Sequence, residues 1–325
     1  MPDKQALAEK AGRVEVRRLT IVDDFAGQRL DNFLAREMKG VPRGHIYRLL
    51  RTGQVRVNGG RRKPDYRIEA GDELRLPPVH LSDRPAPAGP LKRGTAVLAE
   101  GILYEDDVLL VVNKPSGLPV HGGSGLDGGL IEALRRLRGE PELELVHRLD
   151  RDTSGCLLIT RRRSALRSLH AAFREGRVHK RYLALVVGQL REPFTSRAPL
   201  ERFAKRGGER HVAVASTGRA AQTRFRPLAC GEAYSLVEAL PDTGRTHQIR
   251  VHAAHARHPI AGDVRYGDKV RNRELRELGL RRLALHAAGI AFAHPRTDEP
   301  LSFSAPMPDD LLPVITRLTG YDQPH

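Results

Sequence analysis

Cysteine is almost missing from this 325-residue chain: Cys156 and Cys230 are the only two, and neither stands in a C-x-x-C pair. Their spacing argues against a disulfide framework and a structural zinc site, and predicts two reduced thiols. Long apolar runs are missing too. No stretch approaches the roughly 18 residues that a membrane span requires. Met1–Arg18 is polar and charged, without the apolar core of a signal peptide. A cytoplasmic protein with no membrane partner is therefore expected. Acidic residues are in short supply, 39 against 55 Lys and Arg, which leaves a net charge of +16. Such a chain attracts polyanions and gains affinity by releasing counterions from phosphates. Charge alone admits RNA, DNA or an acidic membrane, so the motifs must choose.

The length suits about two domains, each able to bury a core without staples. Residues 1–18 read as a disordered, charged tail. A compact unit follows over 19–78. In it, Leu30, Phe33, Leu34 and Met38 repeat at helical spacing, and Pro42 opens a second helix with Ile46, Leu49 and Leu50 as its apolar stripe. Val55–Gly60 and Asp65–Leu76 supply turns and strands. Residues 79–95 form a Pro/Gly-rich linker. Over 96–320 short strands alternate with a few helices: Ile102–Tyr104 and Val108–Val112 as a hairpin, a helix capped by Ser164, strands at Tyr182–Val187, Thr223–Leu228 and Ser235–Leu240, and a helical stretch in Thr246–Ala256. No repeat is visible. Without βαβ alternation, the fold class is α+β with a mostly antiparallel mixed sheet, plus a small N-terminal α/β domain.

The small domain is strongly basic, with ten Lys and Arg against two acids between Arg29 and Lys63. Arg43, Tyr47 and Arg51 stand at i, i+4, i+8 with Arg48 beside them, opposite the apolar stripe. Arg61, Arg62 and Lys63 continue the charge through the next turn. A solvated helix face is the plain reading of such a stripe; forked phosphate contacts and stacking on RNA bases are the functional one. From Arg29 to about Asp72 the segment resembles the S4 RNA-binding domain.

In the larger domain residues 147–155 read His-Arg-Leu-Asp-Arg-Asp-Thr-Ser-Gly, on a loop between strands at Leu145–Val146 and Cys156–Thr160. This stretch resembles the signature of the RluA/RluC/RluD family of pseudouridine synthases. Asn113–Gly117 is similar to that family's first motif, Lys180-Arg181-Tyr182 to its tyrosine segment, Gly244–His252 to its third motif and Leu285-His286-Ala287 to its last. The resemblance covers roughly residues 20–305. It implies isomerisation of uridine to pseudouridine in RNA by base flipping, without a cofactor. It also implies Asp150 as the catalytic carboxylate, Arg245 as the arginine paired with it and Tyr182 against the target base. Arg148 would hold the opened RNA, Leu285 would pack beneath the base and Lys114 would meet a backbone phosphate. Gly40–Val57, Val120–Leu126 and Arg151–Ser154 look closest to the branch that modifies several uridines of bacterial 23S rRNA, as free RNA or as a large-subunit assembly precursor. No protein partner is implied, and a monomer is expected.

The residues allow duller readings. Arg245 and Arg250 suit plain phosphate contacts or structural ion pairs, and Tyr182 in an apolar strand suits a core. His247, His252, His255 and His258 lack the spacing of a metal site, so no metal is expected. His121–Gly125 fails the nucleophile-elbow and P-loop patterns and reads as a glycine-rich loop. A non-catalytic RNA-binding or ribosome-assembly factor would fit the basic domain but has no need of Asp150, Tyr182 and Arg245. A glycosidase would need a second carboxylate to pair with Asp150.

Overall fold

The computed structural model describes residues 16–22, 25–38, 41–78, 100–122, 128–204 and 210–322. The expected tail up to residue 15, the linker 79–95 and most of the glycine-rich loop (123–125) lie outside the described residues, as does the side chain of Arg43. The chain divides into two compact units between Gly89 and Pro90.

In the first unit, helices α1 (Leu30–Glu37) and α2 (Arg43–Arg51) pack beside a three-stranded antiparallel sheet. Its strands are β1 (Arg17–Thr20), β2 (Arg56–Val57) and β3 (Glu73–Leu76), in the order β1-β3-β2. Leu30, Phe33, Leu34, Met38, Ile46, Leu49 and Leu50 all enter one core, as their helical spacing predicts. Tyr47, Arg48 and Arg51 are exposed on the other side of α2. The ordered structure begins earlier than expected. Arg17 and Arg18 are already strand, paired with Leu76 and Arg75, because Ile21 is buried and its N–H bonds to Asp72 O at 2.8 Å.

The second unit is built on a ten-stranded sheet. Its first half carries β4 (Ile102–Glu105), β5 (Leu109–Lys114), β6 (Glu144–Leu145) and β7 (Ser154–Thr160). The other half carries β8 (His179–Val187), β9 (Phe194–Ser196), β12 (Thr223–Cys230) and β13 (Tyr234–Pro241). Between the halves lies β14 (Leu285–Ala293), antiparallel to β8 but parallel to β7, with β15 (Pro300–Ser304) alongside it. A separate hairpin joins β10 (Leu200–Ala204) to β11 (Arg210–Val214).

The central residues of β5 and β7, Leu109–Val112 and Cys156–Ile159, are apolar on both sides because each strand buries both faces. Leu110, Val112, Leu157 and Ile159 meet helix α3 (Leu130–Arg138), whereas Leu109, Val111, Cys156 and Leu158 meet helix α4 (Arg163–Arg174). Burial pushes the Cys156 thiol up to about 11, so it acts as a small core residue. Ser164 does not cap α4. Arg162 occupies that position, and Thr160 Oγ1 accepts its N–H at 3.1 Å, turning the chain one step earlier. Helices α5 (Gln248–His255), α6 (Lys269–Glu277) and α7 (Leu312–Thr319) complete the unit.

Candidate active site

The signature loop runs from the end of β6 into β7, and the first motif pins it from behind. Lys114 ends β5 and is fully buried. Its Nζ donates to the carbonyls of Pro115, Leu118 and Arg151 at 2.8, 2.8 and 2.9 Å, one acceptor for each N–H of an ammonium. Burial, with the charge of Arg282 second, lowers its pKa to about 7. Ser116 Oγ donates to Asp152 O and Gly117 N to Arg151 O. The expected phosphate contact of Lys114 is therefore corrected: alternation along β5 turns its side chain inward with Leu110 and Val112, where no RNA reaches it.

Past the loop, β7 approaches β14 closely. Gly155 has φ 109° and pairs with Ala287, and a Cβ there would lie 2.2 Å from Ala287 O. Only glycine permits this approach. Next to it, Ser154 Oγ accepts from Arg282 Nη2 at 2.6 Å and meets His286 Nδ1 at 2.9 Å. Burial pushes His286 down to about 4. Burial, with Lys180 second, pushes His147 down to about 3, and its Nε2 accepts the N–H of Leu158. Both rings are neutral at pH 7.

The partner of Asp150 comes from the third motif. β13 ends at Pro241, and a turn leads to α5, with His247 at its N-cap at φ 54°. Gln248 ties this turn together, accepting from Thr243 Oγ1 and Arg245 N and donating to Gln222 O and Thr223 Oγ1. One turn into the helix, Arg250 is buried. Its Nη1 donates to Asp150 Oδ2 at 3.2 Å, while Nε and Nη2 fork onto Asp263 at 2.7 and 2.9 Å. Burial opposes the charge of Arg250, but Asp263 and Asp150 outweigh it and hold the guanidinium above its ordinary pKa. His247 Nε2 stands 3.8 Å from the same Asp150 oxygen and its Nδ1 meets Tyr266 Oη at 2.8 Å. Among the described residues, Asp150 Oδ1 has no hydrogen-bond partner.

Arg245 does not make the expected pairing. It sits in the turn before α5, where its Nε donates to Ala220 O at 3.1 Å. Arg250, in the first turn of α5, takes that role. The sequence carried a signal for it: an arginine flanked by Ile249 and Val251 in an apolar helix needs a buried anion.

Asp150, Tyr182, Leu285, Arg148 and Arg245 line one cleft of about 540 Å³ with His247 and Arg250. Tyr182, on β8, is half-buried between two core clusters and pairs with Ala239. Burial, and then the negative charge of Asp150, raise its phenol well above the ordinary tyrosine value, so it stays protonated. Leu285 is buried at the start of β14. Arg148 is exposed at the rim, which Arg174 and Arg202 also line. The cleft thus offers an oriented carboxylate, an aromatic ring, an apolar floor and a cationic edge. Among the described residues no group of His, Cys, Asp and Glu could hold a metal ion. In the first unit, Arg61, Arg62 and Lys63 are exposed, with Arg62 over the Tyr66 ring, and Tyr47 Oη donates to Asp31.

Comparison with known proteins finds relatives of both units. Residues 108–255 match the family described as RNA pseudouridylate synthase, and residues 28–74 match the S4 domain. The chain is 53% identical over 308 residues to ribosomal large subunit pseudouridine synthase C of Escherichia coli (strain K12), covering 93% of this chain and 97% of that protein. It is 51% identical to the protein of the same name from Pasteurella multocida, covering 95% and 96%. Among solved structures, human RNA pseudouridylate synthase domain containing 4 is 28% identical, with a TM-score of 0.55, over 69% of this chain and 95% of that one. Human RNA pseudouridylate synthase domain containing 1 is 30% identical, with a TM-score of 0.54, over 66% and 85%. Similarity spanning nearly the whole length, centred on a cleft that joins the signature aspartate to the third-motif arginine, means that the chain belongs to the RNA pseudouridylate synthase family and carries an S4 domain ahead of its catalytic unit.

Proposed function

We propose that the chain isomerises specific uridines of bacterial 23S rRNA to pseudouridine, as the names of its relatives suggest for them. The observation that carries the reading is Asp150. Its Oδ2 is tied to Arg250 and its Oδ1 is unpartnered among the described residues, in a cleft also lined by Tyr182 and Leu285. A duplexed uridine cannot reach such a carboxylate, so the nucleotide must be extruded. Tyr182 then stacks on the uracil over Leu285, and Arg148 occupies the rim with Arg245. Asp150 acts on the bound nucleoside, as nucleophile or as base, while the N1–C1′ bond breaks and a C5–C1′ bond forms. The C5 proton is lost and N1 gains one, so the product is an isomer. Arg250 keeps the carboxylate oriented throughout.

The exposed cations of the S4 domain, Arg48, Arg51, Arg61, Arg62 and Lys63, together with Arg43 and Tyr47, form the accessory RNA contact. Among the described residues no helix is long and apolar enough to cross a membrane, and a cytoplasmic location follows from the proposed substrate.

The test is incubation of labelled large-subunit rRNA with the protein, followed by nucleoside chromatography. Pseudouridine is expected. Tight binding with unchanged uridine would mean an assembly factor, and free uracil a hydrolase. Carbodiimide mapping of rRNA from cells with and without the gene then identifies the uridines.

A further inference from the structure

A second cleft, of about 500 Å³, opens beside the catalytic one and shares Arg202, Gly244, Arg245 and Thr246 with it. Its remaining cation is Arg219. The backbones of Leu200 and Arg219 exchange two hydrogen bonds, both 2.9 Å, which hold this segment against β10. Gly218 allows that closeness, since a Cβ there would lie 2.7 Å from the Leu200 carbonyl carbon. Arg219 is therefore presented from a fixed backbone rather than from a free loop.

Three guanidiniums face this groove, and little of the protein neutralises them. Arg219 is exposed and has no acceptor among the described residues. Arg245 commits only its Nε, to Ala220 O, and Arg202 Nη2 donates to Thr246 Oγ1. Among the described residues one acid lines the cleft, Glu201, and its carboxylate already accepts from Thr217 Oγ1 at 2.8 Å. Among the described residues no aromatic lines it, so they offer no platform for a base. Forked donors without a stacking ring suit phosphate oxygens.

We propose that this second cleft seats the phosphodiester backbone of the RNA strand next to the extruded nucleotide, with Arg219 and Arg245 as phosphate donors. The assignment rests on reading the first cleft as the uridine site. It gives Arg245 a place in the shared wall, from which it reaches the strand while Arg250 serves Asp150.

The test measures binding of a short oligouridylate across a salt series. Arg219→Ala should flatten the slope of log K against log salt by about 0.7, the value of one single-strand phosphate contact. Arg317→Ala removes one charge from α7, outside both clefts, and should leave the slope unchanged. Arg219→Lys should restore part of the slope. On rRNA, Arg219→Ala should raise KM roughly five- to tenfold, the loss of one ordinary solvent-exposed hydrogen-bonded contact, rather than lower kcat. A slope for Arg219→Ala equal to that of Arg317→Ala, or a fall in kcat alone, overturns the subsite. If the wild type makes no pseudouridine while the Arg219 slope effect persists, the uridine reading fails and the phosphate subsite stands.

Discussion

Arg250 reaches Asp150 with one nitrogen and grips Asp263 with two others, so a single guanidinium links the signature loop to the segment after α5. Asp150→Asn should abolish pseudouridine formation and largely spare RNA binding, measured by product assay and binding titration. Near-normal turnover would remove Asp150 from the chemistry. Arg250→Ala should cost stability as well, on the order of 3–5 kcal/mol, because it strands the fully buried Asp263 carboxylate. A variant with unchanged thermal stability would contradict that linkage.

Tyr182 lines the cleft, and the proposed mechanism sets its ring against the base. Tyr182→Phe keeps the stacking face and should retain much of the activity, whereas Tyr182→Ala should lose about 1–3 kcal/mol of base stacking. Equal losses in both variants would point to the hydroxyl instead, and single-turnover kinetics separates the two cases.

Lys114 serves the loop rather than the RNA. Lys114→Met strips the donor from the carbonyls of Pro115 and Leu118, while Arg151 O keeps the N–H of Gly117; each unpartnered carbonyl is worth roughly 1–3 kcal/mol when buried. Thermal unfolding should show a midpoint lowered by several degrees, about 2–4 °C for each kcal/mol in a chain of this size. A variant that unfolds like the wild type but binds rRNA weakly would restore the phosphate role.

Acid should weaken the fold through two histidines. His286 and His147 titrate near 4 and 3 in the folded protein, below the ordinary value of 6.5. Between those values the unfolded chain binds protons that the folded one refuses, so stability falls as pH drops from about 6.5 toward 4. The melting midpoint across that range checks this, and a rise on acidification would contradict it.

The S4 domain should contribute through charge. Reversing Arg43, Arg48 and Arg51 should weaken rRNA binding and flatten its salt dependence by roughly 0.7–0.9 per lost contact. An unchanged slope would remove this face from the interface.

Much of this architecture was legible in the sequence because it is local. Helical spacing located α1 and α2, and the motif order brought Asp150, Tyr182 and Leu285 to one cleft. What escaped depends on packing. Lys114 stands in a motif that looks cationic, yet its two-residue offset from Val112 turns it into the core beside Leu110. Arg245 and Arg250 stand in the same motif; the apolar flanks of Arg250 were the available signal, and the turn held by Gln248 decides which of them meets the aspartate. β14 was read only as a motif, since its alanines and glycine have weak strand preference, and burial on both sides overrides it.

The position of β14 also sets when in synthesis the protein becomes competent. β14 is made after every strand of the ten-stranded sheet except β15, yet it lies at the seam between β7 and β8. A ribosome that has not yet passed Ala293 has released two half-sheets with no shared hydrogen bonds. The nascent chain therefore cannot join the two half-sheets through this seam until β14 itself has been made.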